Sequence, residues 1–194
     1  NGLLLHNYKN MSLEKVTSNL NSISYYKNKI YIVGNSGYFA IYNLEDSTHT
    51  TGILYNVNNK MVKIYEDLKY IHIKNNQCAI VGSNGTLITN ENLDTDKFKL
   101  ISTDISTDTL TNDKNFTECL IHNKSLYIIS KKKIYKGTFS NDPTEVSIDN
   151  NVSNFSNLFI NKKDSSSSVY CFGIKDDLKN LIKILIKIPT DSSS

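Results

Sequence analysis

The sequence predicts an all-β fold made of repeated sheets, and three observations carry that reading. Short runs rich in Ile, Val, Tyr and Leu alternate with Asn- and Gly-containing turns along most of the 194 residues. Helical periodicity is weak throughout. A motif also returns at a constant offset of 48: Lys29–Gly37 (KIYIVGNSG), Gln77–Gly85 (QCAIVGSNG) and Ser125–Lys133 (SLYIISKKK). In this register Ile32, Ile80 and Ile128 align, as do Val33, Val81 and Ile129, and Gly34, Gly82 and Ser130.

Taken in chain order, each unit reads as four antiparallel strands. The first unit is expected to use Ile23–Tyr26, Ile30–Val33, Tyr38–Tyr42 and Gly52–Tyr55. The second uses Tyr70–Lys74, Cys78–Val81, Thr86–Thr89 and Phe98–Ser102, with turns at Asn75-Asn76 and Ser83-Asn84-Gly85. The third uses Cys119–His122, Leu126–Ile129, Ile134–Gly137 and Glu145–Ile148. Toward the C-terminus, Leu158–Asn161, Val169–Gly173 and Leu181–Ile188 read as three strands of a further unit. The segment 181–188 alternates as a strand does, with an amphipathic helix as the competing reading. At the other end, Asn1–Asn7 matches Asn84–Asn90, and Leu13–Thr17 then falls where Phe98–Ser102 falls. The chain is thus expected to open inside a unit, at its third strand, as a processed product or a piece of something longer.

Four strands returning every ~40 to 50 residues are the signature of propeller blades, which cover their apolar faces by stacking on one another. The expected blades are 20–59, 60–106 and 107–154, with outer strands of another at 1–17 and a partial blade at 155–190. Two arrangements are open: a small closed ring of about four blades, or an arc of a larger propeller.

Composition narrows function. The 22 basic residues are all lysine, against 19 acidic ones, for a net charge of +3. Without arginine there is no bidentate clamp on carboxylate or phosphate, and so thin a charge is not the basic stripe of a nucleic-acid binder. The longest apolar stretch, Leu181–Pro189, is broken by Lys183 and Lys187 and is far below the ~20 residues of a spanning helix. Cys78, Cys119 and Cys171 stand alone in strand-like contexts and read as buried small hydrophobes. His6, His49, His72 and His122 fall at different points of the repeat, so no metal site or cofactor is read from them. The carboxylates, among them Glu45, Asp46, Asp94, Asp96, Asp113, Asp176 and Asp177, sit in presumed outer loops, and no catalytic pair or nucleophile motif stands out.

The segments VGSNGTLITN (Val81–Asn90) and VGNSGYFAIYN (Val33–Asn43) resemble the BNR and photosystem II stability factor-like propeller repeats, over about three repeats. The resemblance implies a propeller fold. The family signature continues into an Asp- and Gly-containing turn and a Trp, whereas NENLDTDKF here has Phe98 in the Trp position and no Gly, so no turn-bound calcium is implied. Sialidases share the repeat but hold their substrate with arginines, which this chain lacks.

The expected binding surface is the rim formed by the tight turns between second and third strands. Asn35, Ser36, Ser83 and Asn84 offer hydrogen bonds there, although such residues also serve as turn formers. Lys131, Lys132 and Lys133 put three like charges in one turn, a solvated cluster or an anion-facing one. Of the adjacent Tyr25 and Tyr26, alternation directs one away from the blade core. The function expected is a non-enzymatic binding or structural module of a larger extracellular or virion assembly, such as a phage tail or baseplate host-recognition protein, with surface glycan or a protein as partner. The alternatives are a cytoplasmic protein-interaction scaffold and the propeller part of a glycan-processing enzyme whose catalytic residues lie elsewhere.

Overall fold

Left-handed backbone at paired Asn and Lys residues sets the hairpins. Lys27-Asn28, Asn75-Asn76 and Asn123-Lys124 all have positive φ at both central turn positions, which matches the right-handed twist of the strands they join. The computed structural model describes residues 3–6, 9–12, 18–51, 55–57, 60–95, 97–102, 114–148, 151–161, 168–177 and 180–189.

A first hairpin pairs β1 (Leu3–His6) with β2 (Lys9–Ser12). The first sheet is β3 (Leu20–Tyr26), β4 (Lys29–Gly34), β5 (Phe39–Asn43) and β6 (His49–Thr51), in that order. A second hairpin, β7 (Tyr55–Val57) with β8 (Lys60–Val62), precedes the second sheet of β9 (Leu68–Lys74), β10 (Gln77–Gly82), β11 (Leu87–Asn90) and β12 (Lys99–Ser102). That hairpin pairs with β12 in parallel, at Lys99 and Asn56, so the second sheet has six strands. The third sheet is β13 (Phe116–His122), β14 (Ser125–Ser130), β15 (Ile134–Gly137) and β16 (Thr144–Val146). The last is β17 (Val152–Asn161), β18 (Ser168–Asp177) and β19 (Asn180–Ile188). A 3₁₀ turn lies at Leu93–Thr95, and among the described residues no helix is long and apolar enough to cross a membrane.

Several expected boundaries move. In the first sheet the fourth strand is His49–Thr51 and not Gly52–Tyr55, because the preceding loop is closed early. The Asp46 carboxylate accepts from the Thr48 amide at 2.9 Å and the Thr48 hydroxyl at 2.6 Å, and Ser47 is left-handed. Residues 52–54 lie outside the described set, and Tyr55 starts β7. The partner of Leu3–His6 is Lys9–Ser12, while Leu13–Thr17 lies outside the described residues. β17 starts at Val152, six positions before the expected Leu158, because two irregularities with Asn154 and Asn157 left-handed let the strand bend without ending. Leu181–Ile188 is a strand, paired with β18 along its whole length.

The innermost strands β3, β9, β13 and β17 contact one another in series. The first three carry the same β-bulge, between Leu20 and Ser22, Leu68 and Tyr70, and Phe116 and Glu118, at the repeat offset of 48. Every large core cluster is a layer between two sheets. Tyr31, Val33 and Phe39 of the first sheet meet Leu68, Ile71, Cys78 and Ile80 of the second. Ala79, Val81 and Leu87 of the second meet Phe116, Cys119 and Ile121 of the third. Tyr127, Ile129 and Ile134 of the third meet Val152, Phe155 and Cys171 of the last. Strand alternation thus gives each sheet a leading face against its predecessor and a trailing face against its successor. Among the described residues the last sheet makes no comparable contact with the first, so the four sheets form an open series and not a closed ring of four.

The inner seams are also hydrogen-bonded. Ser22 Oγ accepts from the Ile71 amide at 3.3 Å, His72 Nδ1 from the Ile121 amide at 3.2 Å, and Glu118 Oε1 from the Leu158 amide at 3.1 Å. Each of the three acceptors stands on an inner strand and reaches the backbone of the next sheet.

Candidate functional site

The three tight turns lie at equivalent ends of the sheets, but their residues do different jobs. In the first, Ser36 (φ 54°) and Gly37 (φ 68°) are left-handed, and their amides donate to the Asp67 carboxylate at 3.0 Å and the Glu66 carbonyl at 2.8 Å. In the second, Asn84 (φ 53°) and Gly85 (φ 68°) donate to the Asn115 side-chain oxygen at 3.1 Å and the Lys114 carbonyl at 2.7 Å. Each turn is stitched to the start of the following sheet. The Asn35 side chain is engaged as well, accepting from Asn21 Nδ2 at 2.7 Å. The Ser83 amide donates to the Asp67 carbonyl at 2.9 Å, and its own carbonyl takes the Thr86 hydroxyl at 2.7 Å. Ser36 and Asn84, both exposed at the rim, therefore serve the seams between sheets through their amides, while Asn35 and Ser83 make their bonds within their own sheets.

The third turn is built differently. Ser130 replaces the aligned glycine, and its hydroxyl accepts from the Lys132 amide at 3.3 Å and the Lys133 amide at 3.0 Å, so none of the lysines adopts positive φ. The Lys131 carbonyl accepts from the Phe155 amide at 3.2 Å, which keeps the stitch to the next sheet. Freed of the glycine requirement, the turn presents Lys131 and Lys132 outward, while Lys133 donates to Glu145 at 2.8 Å. That pair is partly exposed and contributes at most about 1 kcal/mol. The lysines form the lip of a cavity of about 490 Å³ between the third and last sheets. Its floor is Ile134, Val146, Ile148, Val152 and Phe155, all aliphatic but one, with Ser153, Asn154 and Glu145 at the edge. β16, on one wall, is the edge strand of its sheet.

Tyr25 and Tyr26 do not join this site. They lie beside the β3–β4 turn, at the opposite end of β4 from Gly34, so the residues expected to act together are divided between two rims. Tyr26 packs against the first core layer with Lys27 5.3 Å from its ring centre, whereas Tyr25 is exposed and bonds Asn28 Oδ1 at 3.0 Å. A smaller cavity of about 360 Å³ opens at this end, lined by Lys29, Asn43 and His49 over Phe98.

Asn19, Asp67 and Asn115 recur at the offset of 48 and close the turns, Asn19 through its carbonyl to the Asn35 amide at 2.9 Å. The sequence offers that spacing as a signal, but a search for apolar motifs passes over it because the aligned residues are polar loop positions. Glu145 and the aliphatic floor had no such signal, since they meet the lysines only through pairing of β15 with β16 and packing of β17.

No known family pattern and no curated protein sequence matches the chain. Solved structures do share its fold. The computationally designed Ika4 protein superposes with a TM-score of 0.55 at 10% identity, over 92% of this chain and 96% of that one. YCF48 bound to D1 peptide gives 0.57 at 12% identity, over 87% of this chain and 56% of that one. The extracellular domain of the hybrid two-component system BT3049 from B. thetaiotaomicron gives 0.59 at 9% identity, over 89% of this chain and 25% of that one. The chain thus spans nearly all of the designed protein, about half of YCF48 and a quarter of the BT3049 chain. Antiparallel sheets stacked in series, the 48-residue register and these likenesses lead to one conclusion: the chain is a β-propeller-type array of blades.

Proposed function

We propose that the chain is a non-enzymatic binding module that takes an acidic, extended protein segment into the groove between its third and last sheets. The observation that carries this is the pairing of the Lys131–Lys133 lip with the aliphatic floor of Ile134, Val146, Ile148 and Val152. Lysines attract carboxylates and steer their approach, and an aliphatic floor accepts an apolar side chain between them. A sugar ring is held best by an open aromatic face, and the exposed Tyr25 is on the other rim, so the groove favours peptide over surface glycan. YCF48, a structural neighbour, is seen with D1 peptide bound, and the BT3049 neighbour is an extracellular domain. Display on an extracellular or virion assembly is the setting we propose.

The test is fluorescence anisotropy with peptides carrying Asp or Glu around a Leu or Val, beside scrambled and neutral peptides and an array of anionic glycans. Substituting Lys131, Lys132 and Lys133 together by Ser is expected to weaken peptide binding about 10- to 100-fold, and added salt is expected to weaken the wild type in the same direction. Glycan binding lost in the same variant would move the reading to surface recognition of glycan. Peptide binding unaffected by the substitution would remove the groove from the account.

A further inference from the structure

Leu20, Ile23 and Tyr25 on β3 are 37%, 55% and 61% exposed, which is unusual for large apolar side chains on an inner strand. Their equivalents at the offset of 48 are not exposed. Leu68 and Ile71 are 0% and 3% exposed, and Ile73 packs against the first core layer. Phe116, Cys119 and Ile121, one repeat further, are 1%, 1% and 2% exposed. What buries these residues in the second and third sheets is the trailing face of the sheet before. The outer part of the first sheet's leading face is already buried, with Ile32, Ala40 and Tyr42 at 2%, 0% and 6%, and only the inner stripe stays open.

At the other end of the series the trailing face of the last sheet is open too. Val169 and Cys171 point into the third core layer, so alternation puts Tyr170 and Phe172 on the far side. Phe159 stacks on Tyr170 at 5.8 Å between ring centres and lies tilted against Phe172 at 5.7 Å, and Lys183 covers Phe172 at 4.4 Å. The ring faces are taken up by one another and by Lys183, which suits packing by protein better than stacking by a sugar. Leu185, opposite Phe172 in the register, is 55% exposed. On the middle strands of the earlier sheets the corresponding trailing residues are closed off, with Tyr31 and Val33 at 1% and 0% and Tyr127 and Ile129 at 2% and 0%.

We propose that a second copy of the chain covers these faces head to tail, the trailing face of β17–β19 of one copy against the Leu20, Ile23 and Tyr25 stripe of the other. The argument is continuity: every seam inside the chain joins a trailing face to a leading face, and the two open faces are the two halves of one more seam. Such a contact is heterologous, and two copies joined at both ends leave neither face open.

Sedimentation velocity of the full chain over a hundredfold range of concentration tests this. A concentration-dependent dimer is expected, and Ile23→Lys or Leu185→Lys is expected to raise its dissociation constant at least about tenfold. Both substitutions are at exposed positions, and an unchanged melting curve checks that the sheets are intact. Mixing the two variants is expected to restore association, since one intact leading face and one intact trailing face remain between them. A monomer at every concentration, dimers indifferent to both substitutions, or a mixture that fails to associate would each overturn the proposal.

Discussion

Gly37→Ala is expected to cost about 3 kcal/mol or more, read as a lowered urea midpoint, with an effect far beyond the usual penalty for losing a turn glycine. Two causes add. The residue sits at φ 68°, where an L side chain is strained. A Cβ there would also overlap the backbone carbonyl of Ile64, which no rotamer change relieves. The start of the second sheet would have to retreat, opening the 2.8 Å bond from Gly37 to Glu66 and the 3.0 Å bond from Ser36 to Asp67 together. Ser36→Ala serves as the control: it keeps the backbone amide and removes only an exposed hydroxyl, so a change below about 1 kcal/mol is expected. Equal losses in the two variants would mean that the turn tolerates displacement and that the stitch between sheets is weak.

Acid is expected to loosen the seam between the second and third sheets through His72. Its imidazole is half-buried and accepts the Ile121 amide at 3.2 Å through Nδ1, so protonation would set an N–H against an N–H. Burial, with the like charge of Lys74 adding to it, pulls the imidazole down from 6.5 to about 4. The folded value is below the unfolded one, so the unfolded chain takes the proton first as pH falls. Stability is therefore full above about pH 6.5 and declines toward pH 4, by about 2 to 3 kcal/mol allowing for solvent screening. Glu118 works in the other direction. Burial raises its carboxyl against the pull of the Leu158 and Asn157 amides, so the folded state favours the protonated form and regains stability as that carboxyl protonates. Thermal melts of wild type and His72→Asn between pH 7 and 4 separate the two. Asn keeps an acceptor in place of Nδ1 without titrating, and its curve is expected to lose the decline. A decline of the same size in the variant would assign acid sensitivity to other groups.

The repeat was legible because apolar strand residues are counted by packing on both faces, and Ile32, Ile80 and Ile128 do occupy equivalent buried positions. The turns were legible as turns, since Asn and Gly answer to left-handed backbone. Their use was not. Ser36 and Asn84 act through backbone amides, which leave no mark on side-chain type, so polar residues at a rim read as ligand groups. The β7–β8 hairpin escaped for a related reason: Tyr55–Val57 and Lys60–Val62 are three residues each, and the hairpin joins the sheet only through pairing of β7 with β12, a contact remote in sequence. Alternation splits Tyr25 and Tyr26 between surface and core, as the structure has them, but which end of the sheet they occupy depends on the direction of β3. The lysine turn was the informative departure from the repeat, because a charged triplet in place of Asn-Ser-Gly needs Ser130 to hold the backbone.

The three cysteines fall one to each layer, Cys78 in the first, Cys119 in the second and Cys171 in the third. Burial raises all three thiols, Cys171 to about 12, so none reacts while its layer is closed. The chain thus carries a separate clock for every seam. Labelling rates read site by site would time the opening of each pair of sheets independently. A protein whose sheets separate in succession would give three rates, whereas concerted opening of the whole array would give a single rate shared by all.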